Sequence, residues 1–101
     1  MERGGCIYIM TNYLRTTLYI GVTSDLRSRI YEHQYKIYPK SFTAKYNLSI
    51  CVYYEVYTSI EEAIDREKQL KKWNRAKKDT LIDKFNKSWD DLTAIINEWE
   101  D

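Results

Sequence analysis

The sequence predicts an α+β domain, a small three-stranded antiparallel sheet packed by helices in the order β-β-α-β-α-α-α. Three observations carry this. Two short runs of β-branched and aromatic residues open the chain, Cys6 to Met10 and Leu18 to Val22. A third such run extends from Ser49 to Tyr57. Directly after it, Ser59-Ile60-Glu61-Glu62 has the form of a capping box and starts a long helical pattern.

The first two runs do not alternate polar with apolar residues, so both strands are expected to be covered on both faces. The polar link Thr11 to Thr17 contains Asn12 and can turn a hairpin. Ser24 or Asp25 can cap a first helix running to about Ile37, which Pro39 helps to end. Residues 38–47 read as a loop with Lys40, Lys45 and exposed aromatics. The capping-box helix runs to about Trp73. Asn74 can cap the next helix, which carries Leu81, Ile82 and Phe85 on one side. Ser88-Trp89-Asp90-Asp91 resembles another capping start, for an acidic amphipathic helix over about 88–99 with the stripe Trp89, Leu92, Ile95, Ile96 and Trp99.

With 101 residues, 44% hydrophobic and 31% charged, the chain suits one soluble domain spanning 1–101. No apolar run approaches the roughly 20 residues needed to cross a bilayer. Met1 to Gly5 lacks the apolar stretch of a signal peptide, so a cytoplasmic location is expected and a membrane partner is not. Cys6 and Cys51 are too few for a disulfide framework or a zinc site and are expected to be reduced core thiols.

The net charge of +1 hides an asymmetry. All 16 Lys and Arg lie in residues 1–89 with 10 acids, a net of +6, and the remaining 5 acids follow. A basic body suits a polyanionic partner, although a solvated surface with a balancing acidic helix reads equally well. Lys68, Lys71, Lys72, Arg75, Lys77 and Lys78 cluster around Trp73 and can track a nucleic-acid backbone or form a solvated helix face.

Several ionisable residues fall on otherwise apolar helix stripes. Leu26, Ile30 and Ile37 mark the stripe of the first helix, and Arg29 and His33 share it. Ile60, Ala63, Ile64 and Leu70 mark the second, and Glu67 falls on it. Burying a lone charge costs several kcal/mol. Either Arg29 and Glu67 form a structural salt bridge, or they line a polar cleft. In a cleft, a guanidinium can hold two phosphate oxygens and a carboxylate can hold a hard divalent cation. With one carboxylate evident, a single divalent metal is expected rather than two.

Cys6-Ile7-Tyr8, Leu18-Tyr19-Ile20-Gly21, Arg29-Ile30-Tyr31-Glu32-His33 and Glu67 resemble, in order, the motifs of the GIY-YIG nuclease superfamily. The stretch Glu62 to Trp73 looks like its small stand-alone bacterial members. The resemblance covers a motif core of about 5–90 and extends to the N-terminal domain of the excision-repair incision subunit. It implies a GIY-YIG fold with helices flanking a three-stranded antiparallel sheet. It also implies a DNA endonuclease using Mg²⁺ or Mn²⁺, with a place in DNA repair or recombination. By similarity, Tyr8 is the general-base or water-positioning candidate and Tyr19 orients water and phosphate. Arg29 stabilises the transition state, His33 assists proton transfer or binds phosphate, and Glu67 binds the metal. Lys40, Lys45, Lys68, Lys71, Lys72 and Arg75 are the nucleic-acid-binding candidates. Cys6 stands where the first motif has glycine, which bears on turnover. A weakly active or inactive DNA-binding module, and an interaction protein with a structural Arg29–Glu67 pair, are the alternatives. A stand-alone domain lacks an appended recognition module, so a partner protein can supply targeting.

Overall fold

The computed structural model describes residues 4–99. Its elements are β1 (Gly5–Thr11), β2 (Leu18–Thr23), α1 (Leu26–Gln34), α2 (Phe42–Lys45), β3 (Ile50–Tyr57), α3 (Ile60–Lys71), α4 (Arg75–Phe85) and α5 (Thr93–Asn97). The sheet is antiparallel with order β2-β1-β3, so the first strand lies in the middle. Every residue of β1 is buried, as an apolar run without alternation requires. Cys6, Tyr8 and Met10 face α1 and α5, with Leu26, Ile30, Leu92 and Ile96. Ile7 and Ile9 face α3 and α4, with Ala63, Leu70 and Ile82. Each fully buried Ile or Leu contributes about 2 kcal/mol.

Local chemistry fixes the connections. The Asn12 carboxamide oxygen accepts from the Thr16 and Thr17 N–H groups at 2.9 and 3.1 Å, folding the β1–β2 hairpin. Arg15 takes a left-handed φ of 59° in that turn. A bulge opposite Ile9 and Met10 lets consecutive residues Val52 and Tyr53 both enter the α3-side core. Asp25, Ser59 and Asn74 cap α1, α3 and α4 as their residue types predict.

Several expectations are corrected. The first helix stops at Gln34, not Ile37. Lys36 enters the left-handed region at φ 52°, and the Lys36 and Ile37 N–H groups bond back to the His33 and Glu32 carbonyls at 3.3 and 3.0 Å. This closure usually uses glycine, so a lysine conceals it in the sequence. Ile37 is consequently exposed rather than an apolar anchor. The loop 38–47 contains the one-turn helix α2, capped by Ser41. The α3 helix ends at Lys71, two residues before Trp73.

The last helix begins at Thr93, not near Ser88, and its N-terminal cap position is Leu92. Asp91 instead accepts from the Thr93 N–H at 3.1 Å and from the Cys51 N–H at 3.3 Å, tying the segment to β3. Trp89 has φ 55° and packs on the opposite core, so the expected five-residue stripe divides. Leu92, Ile96 and Trp99 cover the α1-side core, while Ile95 is exposed. No described helix is long and apolar enough to cross a membrane. Both cysteines are buried thiols, and burial pushes Cys6 up to about 11 and Cys51 up to about 12.

Candidate active site

Tyr8 lies at the centre of β1, in register with Gly21 of β2. A side-chain carbon added at Gly21 would collide with the Tyr8 ring and hydroxyl. Glycine is therefore the residue that lets the phenol lie across the neighbouring strand towards α1. The Tyr8 hydroxyl is 2.8 Å from His33 Nε2, and His33 Nδ1 is 2.8 Å from Thr43 Oγ1 on α2. All three side chains are buried.

Arg29 stands one turn before His33 on α1. Its Nη1 donates to Glu32 Oε1 at 2.9 Å, and its guanidinium carbon lies 5.8 Å from the Tyr38 ring centre. Its positive charge also acts on the Tyr8 phenol. Glu32 holds the guanidinium firmly charged, its pKa raised further above the usual arginine range. Burial raises the Tyr8 pKa, against the pull of Arg29. Burial, then the positive charge of Arg29, lowers His33 to about 4. At neutral pH the site therefore holds a protonated phenol, a neutral imidazole and a cation.

Tyr19 enters from the edge strand β2. Its ring centre is 6.3 Å from that of Tyr8 and 5.8 Å from that of His33, and it stacks on Phe42 at 6.0 Å. Beyond Tyr19, an open groove of about 340 Å³ runs along β2, lined by Leu18, Ile20, Phe42, Lys71 and Lys78. Glu67 projects from α3 on the opposite sheet face. Its side chain is 15% exposed, and Oε2 lies 3.3 Å from Lys71 Nζ. Lys71 thus connects Glu67 to the groove beside Tyr19.

The structure brings Tyr8, Tyr19, Arg29 and His33 into one cluster, and Glu67 stands on the opposite sheet face, paired with Lys71. It does not pair Arg29 with Glu67. Arg29 bonds Glu32 and Glu67 bonds Lys71, so the expected structural pair is replaced by two pairs within separate helices. The reason is topological, because α1 and α3 pack on opposite faces of the sheet.

Among the basic candidates, Lys40, Lys45, Lys68 and Lys72 are exposed. Lys45 Nζ lies 5.4 Å from the Tyr46 ring centre. Arg75 bonds the Arg15 and Thr16 carbonyls at 2.8 Å each and Asp79 at 2.7 Å, anchoring α4 to the hairpin. Cys6 points into the α1-side core, two residues before Tyr8 in β1, and is fully buried.

Sequence reasoning missed Thr43 and the network around Glu55. Thr43 lies in a segment without periodicity, and no local signal marks it. Tyr53, Glu55 and Tyr57 alternate along one strand face, and that period-two pattern was readable.

Glu67 is the carboxylate available near the groove. No group of three His, Cys, Asp or Glu gathers as a metal site among the described residues. A hard cation that keeps most of its waters accepts a single carboxylate, so Glu67 fits such an ion held weakly, in competition with Lys71. The cluster can receive a proton and bind an oxyanion at one place.

A family model described as the GIY-YIG catalytic domain matches residues 4–80, more than half of the chain. Comparison with curated proteins and with solved structures found no match. A phenol crossing the sheet over Gly21, on a three-stranded β2-β1-β3 sheet within the matched residues, agrees with that model, and the chain belongs to the GIY-YIG family, a nuclease-type fold.

Proposed function

We propose that the chain is a metal-dependent DNA endonuclease that hydrolyses phosphodiester bonds at the Tyr8–His33–Arg29–Tyr19 cluster. The observation that supports this most directly is the Tyr8 hydroxyl, 2.8 Å from the Nε2 of a histidine held neutral beside a guanidinium. A water in the cluster can pass a proton to the Tyr8 oxygen while the Tyr8 proton moves to His33 Nε2. The water oxygen then bonds phosphorus, the old P–O bond breaks, and the departing oxygen takes a proton from solvent. His33 returns its proton to solvent. Arg29 holds the non-bridging oxygens through its free N–H groups, and Tyr19 orients water and phosphate. A Mg²⁺ or Mn²⁺ at Glu67 would stabilise developing negative charge on phosphate. Lys40, Lys45, Lys68, Lys71 and Lys72 supply backbone attraction for DNA, with Arg75 contributing through its long-range charge.

The test is cleavage of a labelled DNA panel with Mg²⁺ or Mn²⁺, alongside Glu67→Ala. Removing Glu67 should lower cleavage by about 10²–10³-fold, with melting temperature and DNA binding retained. Binding without cleavage by the unaltered protein would leave a DNA-binding module. Equal cleavage by both proteins would remove Glu67 from the site.

A further inference from the structure

We propose that Thr43 is a positioning residue that sets the tautomer of His33, keeping the ring proton on Nδ1 so that Nε2 can receive the proton of Tyr8. The endonuclease reading enters only in the kinetic consequence. Tyr8 sets the first requirement. Its hydroxyl is fully buried, so its hydrogen needs an acceptor. Arg29 only donates, and His33 Nε2 lies at 2.8 Å. Nε2 must therefore carry a lone pair, which places the proton of a neutral imidazole on Nδ1. That N–H needs its own acceptor, and Thr43 Oγ1 is at 2.8 Å.

Thr43 can accept because its own hydrogen has somewhere to go. Ser41 Oγ lies 3.2 Å away and already receives the Ala44 N–H as the cap of α2. The chain therefore runs in one direction, from Tyr8 to His33 to Thr43 to Ser41. The other groups around the imidazole are Tyr19 of β2 and Arg29 and Glu32 of α1. None of them offers Nδ1 a hydrogen bond in the structure. Thr43 is buried, so solvent does not readily replace it. The short helix α2 thus acts on Tyr8 through one imidazole.

The chain has one histidine, so its ring nitrogens are read without assignment. Long-range ¹H–¹⁵N correlation spectra at pH 7 should show the Nδ1-protonated pattern in the unaltered protein and in Thr43→Ser. Thr43→Val should move population to the Nε2-protonated form and lower kcat by about 10-fold with KM within about twofold, and Thr43→Ser should recover kcat. If Thr43→Val does not fold, Tyr8→Phe decides. With Thr43 in control, that variant keeps the Nδ1-protonated pattern. An Nε2-protonated pattern in the unaltered protein, no change in Thr43→Val, or a switch in Tyr8→Phe each overturns the proposal. Absence of cleavage in the unaltered protein would fail the endonuclease reading and leave the spectral result to decide the role of Thr43.

Discussion

The two faces of the sheet each carry a polar cluster, and the clusters are built on opposite plans. On the α3 side, Glu55 accepts from the Tyr53 hydroxyl, from the Tyr57 hydroxyl at 2.5 Å, and from Arg66 Nε and Nη2 at 2.9 and 3.1 Å. The remaining Arg66 nitrogen donates to Gln69 at 2.6 Å. Burial pushes the Glu55 carboxyl up, but the Arg66 and tyrosine donors outweigh it and the net shift is downward. The Tyr57 phenol is raised to about 12 by burial and by the carboxylate it serves. On the α1 side, the chain through His33 begins at Tyr8, whose oxygen keeps a lone pair, beside an Arg29 that gives one N–H to Glu32. In the first network both carboxylate oxygens and all three guanidinium nitrogens already have partners within it. The second retains capacity for a ligand, and that difference separates a structural polar cluster from a candidate reactive one.

Glu55→Ala is the strongest challenge to this contrast. It strands a half-buried guanidinium and two phenols, so it should cost about 3 kcal/mol of stability, measured by urea unfolding. That is roughly 10–20 °C in melting temperature for a domain of this size. Cleavage by the fraction that remains folded should be unchanged. A cost below about 1 kcal/mol would show that the closed network is no more structural than the open one.

A smaller effect separates the clusters by pH. His33 stays neutral in the folded chain down to about 4. In the unfolded chain an imidazole takes its proton near about 6.5. Acid therefore favours unfolding, and the stability His33 confers at neutral pH is lost as pH falls from about 6.5 to about 4. Between pH 7 and 4.5 the unaltered protein should lose about 2 kcal/mol more than His33→Asn. Glu55, with its carboxyl lowered, contributes stability that is lost only at lower pH, through the carboxylate range. Equal pH slopes for the unaltered protein and His33→Asn above pH 5 would contradict the buried neutral imidazole.

Much of this arrangement was legible in the sequence. Strand composition and the residues Asp25, Ser59 and Asn74 marked the elements, because those signals act locally. The motif residues pointed to Tyr8, Tyr19, Arg29 and His33, which the structure gathers. What was hidden depended on tertiary placement. The Arg29–Glu67 pairing failed because a helix stripe shows that a residue faces the sheet, not which face of the sheet. Lys36 ended α1 in a conformation that favours glycine, so no residue type announced it. Trp89 and Leu92 share a helical spacing but pack on opposite cores, since the chain reverses at Trp89 before α5 begins.

The smallest expected effect tests how Glu67 relates to the open cluster. Lys71 is 51% exposed, and its pair with Glu67 is one helical turn long. Lys71→Met should therefore change stability by no more than about 0.5 kcal/mol. The same substitution removes a cation from beside the carboxylate and frees an oxygen for a metal. If Glu67 holds the metal, Mn²⁺ affinity followed by water-proton relaxation should rise about threefold. DNA affinity measured in EDTA should fall instead, with the salt slope reduced by about 1, if Lys71 also meets a phosphate. The two readouts move in opposite directions because one concerns a cation competing with lysine and the other an anion attracted to it. Unchanged Mn²⁺ affinity would place the metal away from Glu67 and leave that carboxylate a structural partner of Lys71 within α3.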